Sequence, residues 1–268
     1  MTIQNPRRLW GSAAELVDLL EAMPGGMAFA VRDFALVTLA CQLSLRFPDQ
    51  LVFKGGFVLR HVHGILRFSK DIDATHHELT QRALSSTDVA RAIEEASIRN
   101  VVKFDPKAPA TDTKNSLDFD DVKVTGDTFP ASSVQVEISF REGVVDDPVL
   151  SCVGEPFYEQ VEVLTMRESE MAAEKLRALA QRQRATDLAD LAVLLKQPDV
   201  NDEDIARLAV TKFELVAAGR ANREDRIEQR LLDLADSYDN TVPGLFPDAP
   251  TYSEAMSIVW PRVRVLVP

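Results

Sequence analysis

The sequence predicts an α+β protein, in which a part built on a mixed β-sheet (residues 1–160) is followed by a helical part (residues 161–268). Alternating polar and apolar residues, which are typical of strands, occur at Ser116–Val124 and Val134–Phe140. From about Met166 onward the apolar residues recur at helical spacing. With 268 residues, the chain is long enough for one large domain or two modest ones.

Two helices are predicted before the first strand. Ser12 precedes the segment AAELVDLLEAM, and a serine hydroxyl at that position accepts a hydrogen bond from the first turn of a helix. Pro24-Gly25-Gly26 ends this helix. A longer helix is predicted from about Met27 to Arg46, and Pro48 ends it because proline cannot continue the helix.

The next stretch combines short strands with a short helix. The apolar strand Leu51–Phe53 runs into Lys54-Gly55-Gly56. Phe57–His63 is predicted as a short helix that ends at Gly64, since glycine readily takes the left-handed conformation found at helix ends. Asp71–Ala74 alternates polar and apolar residues and is predicted as a second strand.

One more helix precedes the two longer strands. It is predicted over Thr87–Arg99. The residues between the strands, Thr125–Ser133, contain Gly126 and Pro130 and therefore predict a turn or loop.

The remainder of the chain is predicted to be helical. Pro198, Gly219 and Pro243-Gly244 separate its segments, because proline and glycine interrupt helices. The predicted helices are Glu168–Arg182, Thr186–Lys196, Asp202–Val216 and Arg223–Asp239.

The composition limits the classes of function. Hydrophobic residues make up 46% and charged residues 27%, as in an ordinary soluble globular protein. The net charge is −12, which argues against broad, non-specific binding to a polyanion, because such binding depends on lysine and arginine. A local basic groove remains compatible with this charge, and the acidic surface suits a basic protein partner.

A cytoplasmic location without a membrane partner is expected. Cys41 and Cys152 form no CxxC pair and are interpreted as reduced thiols. The N-terminal stretch MTIQNPRRLW has no apolar segment of the kind found in signal peptides. No run of about 18 apolar residues predicts a membrane span.

Asp71 and Asp73 are the strongest candidates for chemistry. Residues two apart on a strand point to the same face, so the two carboxylates lie side by side and repel each other. A divalent cation with a preference for oxygen ligands, Mg²⁺ or Mn²⁺, removes that repulsion. The pair taken alone is also typical of two solvated acids on an edge strand.

The surroundings of the pair favour a site. Upstream, Lys54-Gly55-Gly56 lets the backbone come close to a ligand, which suits a triphosphate. Downstream, Glu137 alternates with apolar residues on its own strand and supplies a third carboxylate. Asp71, Asp73 and Glu137 are thus the predicted metal ligands.

A basic pair lies in the predicted helix Glu168–Arg182. Lys175 and Arg182 are seven residues apart, so on one helix they share a face. Such a pair is also typical of a solvated basic stripe. Lys175 lies at the edge of an apolar stripe and can point towards a phosphate as a compact charge.

The stretch Lys54–Thr75 resembles the nucleotidyltransferases of the AbiEii type, the toxin halves of abortive-infection and toxin–antitoxin pairs. Those proteins share a K-G-G-T-x-L start and an R-F-S-x-D-I-D end, present here as KGGFVL and RFSKDID. VQVEISFRE resembles their third-carboxylate strand, and AAEKLRALAQRQRATDLADLAVLL resembles their A-E-K-L-x-A-L and R-D-L-x-D-L signature. The resemblance spans about residues 51 to 195 and implies a DNA polymerase β-like core.

The resemblance also implies roles for individual residues. Ser69 would touch phosphate, and Lys175 would contact the triphosphate together with Arg182. Asp187 and Asp190 match the two acids of the helical signature, and either is a candidate functional acid. The helical part would thereby contribute to the site. The sequence departs from the pattern in three places: Phe57 stands for the usual Thr, Thr186 stands for the usual Arg, and His76 and His77 follow the second Asp where apolar residues are commoner.

The function implied by the resemblance is transfer of a nucleoside monophosphate from an NTP to a hydroxyl. By analogy with the family, the acceptor is the 3′ end of tRNA, which would inhibit translation, and a cognate antitoxin is the expected protein partner. Two alternatives stay open: transfer to a Ser, Thr or Tyr hydroxyl of a protein, and a non-catalytic member that only binds nucleotide or a partner.

Overall fold

The computed structural model describes residues 6–77, 84–141, 143–215 and 223–267. The chain divides into two compact units. Unit 1 comprises Met1–Val144 and Pro148–Thr165, and unit 2 comprises Val145–Asp147 and Met166–Pro268. Unit 1 holds the sheet and unit 2 is helical, so the predicted α+β class is confirmed.

Unit 1 follows the predicted order of helices and strands and adds several short strands. Its elements are α1 (Ala13–Glu21), α2 (Met27–Arg46), β1 (Leu51–Lys54), α3 (Gly55–His61), β2 (Asp71–His76), α4 (Ser86–Glu95), β3 (Lys103–Pro106), β4 (Thr111–Asp112), β5 (Ser116–Thr125), β6 (Ser132–Ser139), β7 (Val149–Val153) and β8 (Val161–Thr165). The hydroxyl of Ser12 caps α1 as predicted, accepting a hydrogen bond from the backbone N–H of Glu15.

The strands form one mixed sheet. Its order is β3-β5-β6-β2-β1-β8-β7, and β4 pairs with β5 beside this path. β2 runs parallel to β6 and antiparallel to β1, while β1 runs parallel to β8. β2 therefore lies in the interior of the sheet, and the interpretation of Asp71 and Asp73 as acids on an edge strand is wrong.

α2 is the core helix of unit 1. It packs on β6 and β8 and on α4. Buried residues alternate along β6, as at Val136 and Ile138, and along the first half of β2, where Ile72 is buried between Asp71 and Asp73. By length and composition α2 is apolar enough to cross a membrane, since an 18-residue stretch of it has a mean hydropathy of 1.4. However, 72% of that stretch is buried inside the protein. Such burial is typical of a core helix.

Unit 2 consists of helices that pack mainly on its first helix and its last helix. Its elements are α5 (Glu168–Gln181), α6 (Ala185–Leu194), α7 (Asp202–Leu215), α8 (Arg223–Asp233), α9 (Ala235–Leu245) and α10 (Tyr252–Leu266). α5 packs against α6, α7 and α8, and α10 packs against α6, α7, α8 and α9. Val216, the predicted last residue of α7, lies outside the described residues.

Two predicted helices differ from the observed ones by several residues. The helix predicted to end at Arg99 ends at Glu95, because Ile98 and Val102 form an antiparallel bridge around a turn. The helix predicted over Arg223–Asp239 is interrupted near Leu234, where no proline or glycine marks the break.

Candidate active site

Asp73 sits at the centre of a row that crosses three strands. In the register of the sheet its partner on β1 is Lys54 and its partner on β6 is Glu137. Directly opposed residues on neighbouring strands have Cβ atoms about 5 Å apart. The sheet thus brings together a lysine and two acids that are up to 83 positions apart in the sequence.

Three carboxylates converge at this place. Each of Asp71, Asp73 and Glu137 has a carboxylate oxygen within 4.8 Å of those of the other two. The two aspartates are half-buried and Glu137 is exposed. Like charges this close repel one another, and a hard divalent cation with oxygen ligands compensates that repulsion. The donor set therefore fits Mg²⁺ or Mn²⁺, as the sequence predicts.

Ser69 fixes the orientation of one of these acids. Its hydroxyl donates to Oδ1 of Asp71 at 2.5 Å. Ser69 is buried, with a relative exposure of 7%. This bond restricts rotation of the Asp71 carboxylate. Ser69 therefore lies beside a predicted metal ligand and positions it.

Gly55 lets the start of α3 approach the acids. Its φ of +69° lies in the left-handed region, and a Cβ there would be 3.2 Å from Cγ of Asp73 and closer still to Oδ2. Gly56 is crowded to a lesser degree, because a Cβ would lie 3.0 Å from Oγ of Ser69 and 3.1 Å from Cζ of Arg67. Helix α3 begins at Gly55 itself, two residues earlier than predicted.

A pair of glycine variants separates backbone strain from crowding at Asp73. Gly64 has a φ of +67°, close to that of Gly55, but nothing within 4 Å of its Cβ position. We expect Gly64→Ala to cost about 1 kcal/mol of unfolding free energy, from φ alone. Gly55→Ala should cost clearly more and should also weaken divalent-cation binding, because Asp73 must move. Urea unfolding and Mn²⁺ titration measure both, and equal effects of the two variants would contradict the crowding.

The predicted site residues of unit 2 form a separate ionic cluster within that unit. Lys175 Nζ lies 2.9 Å from Oδ1 of Asp187 and 2.8 Å from Oδ2 of Asp190. Arg182 Nε donates to Oδ2 of Asp187 at 2.7 Å. The prediction that Lys175 and Arg182 share one helix is wrong, because α5 ends at Gln181 and Arg182 is extended. Both still converge on Asp187.

Asp187 and Asp190 are both deeply buried, at 1% and 0% exposure. Burial by itself raises the pKa of the Asp187 carboxyl, but the charges of Lys175 and Arg182 and their hydrogen bonds outweigh it. The pKa of Asp187 is therefore held well below its usual range. Arg182 thus supplies a cation beside Asp187 although Thr186 replaces the usual Arg.

The lowered pKa of Asp187 predicts a defined pH dependence of stability. A carboxyl whose folded pKa lies below its unfolded pKa adds stability above about pH 4, and that contribution is lost as the pH falls further. We expect the unfolding free energy of the wild type to fall more steeply below pH 4 than that of Asp187→Asn. Urea titrations between pH 2.5 and about pH 7 test this, and parallel pH curves would contradict it.

Sequence reasoning missed a second buried ion cluster in unit 2. Lys212, 1% exposed, places Nζ 2.7 Å from Glu170 and 2.9 Å from Glu174. Glu170 also accepts hydrogen bonds from the backbone N–H groups of Val145 and Asp146, which joins that short segment to unit 2. The sequence does place a lysine among the apolar residues of α7, and that position could have indicated a buried charge.

The predicted site residues thus fall into two groups. Lys54, Gly55, Gly56, Ser69, Asp71, Asp73 and Glu137 gather in unit 1. Lys175, Arg182, Asp187 and Asp190 gather in unit 2. That both groups serve the same nucleotide stays a prediction.

Comparison with known proteins places this geometry in a family. The family model for the nucleotidyl transferase AbiEii toxin of type IV toxin–antitoxin systems matches residues 39–264. No curated protein matches the sequence significantly.

Two solved structures share the fold. MenT4, a nucleotidyltransferase toxin from Mycobacterium tuberculosis H37Rv, is 19% identical with a TM-score of 0.58, over 97% of this chain and 100% of that one. JHP933 from Helicobacter pylori is 17% identical with a TM-score of 0.59, over 89% of this chain and 91% of that one. At such identities the likeness concerns the fold alone. Because the family model covers most of the chain, this protein belongs to the AbiEii family of nucleotidyltransferase toxins.

Proposed function

We propose that this nucleotidyltransferase toxin uses Asp71, Asp73 and Glu137 to transfer a nucleoside monophosphate from an NTP to a hydroxyl, in a reaction that depends on Mg²⁺ or Mn²⁺. The observation that carries the proposal is the convergence of these three carboxylates, with oxygens within 4.8 Å of one another. Membership of a type IV toxin–antitoxin family implies an NTP substrate and a cognate antitoxin.

The reaction forms one bond and breaks one. The acceptor oxygen attacks the α-phosphorus, and the bond from that phosphorus to the bridging oxygen breaks, so pyrophosphate leaves with the electron pair. A bound divalent cation supplies positive charge that offsets the charge developing on the phosphate oxygens. Asp71, Asp73 and Glu137 would hold that cation, and Ser69 keeps Asp71 in place.

Glu137 and Lys54 have complementary roles beside Asp73. Glu137 is the exposed member of the three acids, so a carboxylate oxygen of Glu137 can accept the proton of the attacking hydroxyl. Lys54 lies opposite Asp73 and adds a positive charge at the start of the glycine pair. Gly55 and Gly56 bring the backbone at the start of α3 close to Asp73 and Ser69, so a phosphate bound at that backbone would lie beside the acids.

We propose the 3′ end of tRNA as the acceptor, which would make translation the inhibited process. Support for this acceptor comes from the family resemblance and from the chemistry of a free hydroxyl. With a net charge of −12, the chain would have to concentrate its lysine and arginine residues near the site to bind RNA.

Incubation with each of the four NTPs, labelled at the α-phosphate, tests the acceptor. Total tRNA and a tRNA-free protein extract are supplied in separate reactions with Mg²⁺. We expect label on tRNA, lost when EDTA removes the cation. Label on protein alone would replace the tRNA proposal with protein nucleotidylation, and no label on either would favour a non-catalytic member.

A further inference from the structure

A buried ion pair joins α2 to α3 in unit 1. Asp33, in the middle of the apolar helix α2, is only 3% exposed. Arg60 Nε donates to Oδ1 and Oδ2 of Asp33, both at 2.7 Å, and Nη2 donates to Oδ2 at 2.5 Å. Nε2 of His61 lies 3.3 Å from Oδ1. Apolar residues of similar volume often stabilise a protein as well as a buried ion pair does, so this pair is weak evidence for a role in stability. We interpret it as fixing the position of Arg60 relative to α2.

The guanidinium of Arg60 fixes an aromatic ring. Its Cζ lies 5.0 Å from the ring centroid of Phe68, within the range of a cation–π contact. On α2, Phe29 stacks on the same ring, with centroids 4.4 Å apart and planes at 21°. Phe68 is 4% exposed. Arg60, which Asp33 holds in place, is therefore one of two side chains that pack on the ring of Phe68.

Phe68 belongs to an irregular segment that leads directly to the catalytic acids. Residues 64–69 lie outside helix and strand. The backbone carbonyl of Phe68 accepts a hydrogen bond from Arg67 at 2.5 Å, and the next residue, Ser69, donates to Asp71 at 2.5 Å. The position of the Ser69 hydroxyl therefore depends on side-chain contacts such as that of Phe68 with Arg60.

We infer that Asp33 is a positioning residue, which acts through Arg60 and Phe68 on Ser69 and so sets the orientation of the metal ligand Asp71. The inference rests on the proposed function, in which Asp71 holds the cation. Asp33 itself lies on another element and has its side chain occupied by Arg60 and His61. Residues that hydrogen-bond a metal ligand, as Ser69 does, typically contribute 10–100-fold to metal affinity, and Asp33 acts on that residue.

Mn²⁺ binding, followed by the electron paramagnetic resonance signal of the free ion, tests the inference without relying on activity. We expect Asp33→Asn to weaken Mn²⁺ binding about 10-fold. Glu159→Gln is the matched control, since it also removes an acid paired with an arginine in unit 1, at 3.1 Å, but at an exposed site. It should leave Mn²⁺ binding unchanged. Equal binding by wild type and Asp33→Asn would overturn the inference.

A double-mutant cycle distinguishes positioning from a general loss of stability. If Asp33 acts through Ser69, Asp33→Asn adds little further loss of Mn²⁺ affinity in a Ser69→Ala background. Additive losses would contradict that route. The variant Asp33→Leu/Arg60→Met replaces the ion pair by apolar side chains and is expected to fold, with weakened Mn²⁺ binding. Unchanged Mn²⁺ binding in this folded variant would show that the Asp33–Arg60 pair has only a structural role.

Asp71→Ala separates failure of this inference from failure of the proposed function. If Mn²⁺ binding is insensitive to Asp71→Ala, the proposed metal site is wrong and the inference falls with it. If Asp71→Ala abolishes binding while the Asp33 variants bind like the wild type, the metal site stands and only the positioning role is overturned.

Discussion

Replacing Asp71 by alanine is expected to lower nucleotide transfer by at least about 10³-fold. The expected loss is several kcal/mol of transition-state stabilisation, and each 1.4 kcal/mol corresponds to roughly a factor of ten in rate. The same change removes one of three carboxylates whose oxygens lie within 4.8 Å. Without divalent cation the variant should therefore melt at or above the temperature of the wild type. Transfer assays and thermal melts measure the two effects.

The cation dependence of the melting temperature provides the control. The wild type should be stabilised by added Mn²⁺, because an ion that binds only the folded state raises the melting temperature. Asp71→Ala should lose that response. Asp105→Ala, which removes an exposed acid from β3, should keep both transfer and the response. An active Asp71→Ala variant would show that the three acids are not the catalytic centre.

Replacing Lys175 by methionine is expected to lower the unfolding free energy by about 3–5 kcal/mol, because it removes a cation that contacts two buried carboxylates. Lys175 is 16% exposed and contacts Asp187 and Asp190, which are almost fully buried. Asp187 keeps Arg182 as a partner, so the main cost falls on Asp190. Urea unfolding measures the change. A cost below about 1 kcal/mol would show that the ion pairs contribute little.

Two further variants separate the contribution of Lys175 to protein stability from its predicted contact with the triphosphate. Asp190→Asn alone reveals whether Asp190 is itself needed for transfer. Lys175→Met/Asp190→Asn removes the uncompensated charge and should recover most of the lost stability. If Lys175 contacts the triphosphate, the double variant stays defective in NTP binding. If NTP binding returns with stability, Lys175 has a structural role only.

The fold was most predictable where breaking residues bracket a long apolar segment. Pro24-Gly25-Gly26 and Pro48 flank α2, whose observed bounds Met27–Arg46 match the prediction. The short strands β3, β4, β7 and β8 were not predicted, because their pairing depends on the rest of the sheet more than on local composition. α10 was also missed, although a capping box formed by Thr251 and Glu254 marks its start.

In the candidate site, the spacing of Asp71 and Asp73, the upstream Lys54-Gly55-Gly56 and the alternation around Glu137 together led to the proposal of three ligands. The sequence does not contain the register, which places Asp73 between Lys54 and Glu137. Charged residues within apolar helices were overlooked, Asp33 and Lys212 among them. Both side chains are buried, and a buried charge requires a partner. Which residue is that partner depends on tertiary packing.

The location of the bound cation tests the central claim most directly. Crystals soaked with Mn²⁺ and a non-hydrolysable NTP analogue would show the ion by its anomalous scattering. We predict a peak among the carboxylate oxygens of Asp71, Asp73 and Glu137, with the phosphates of the analogue beside Gly55 and Gly56. A bound analogue whose Mn²⁺ is ligated by other residues would contradict the assignment of these three acids as the catalytic centre.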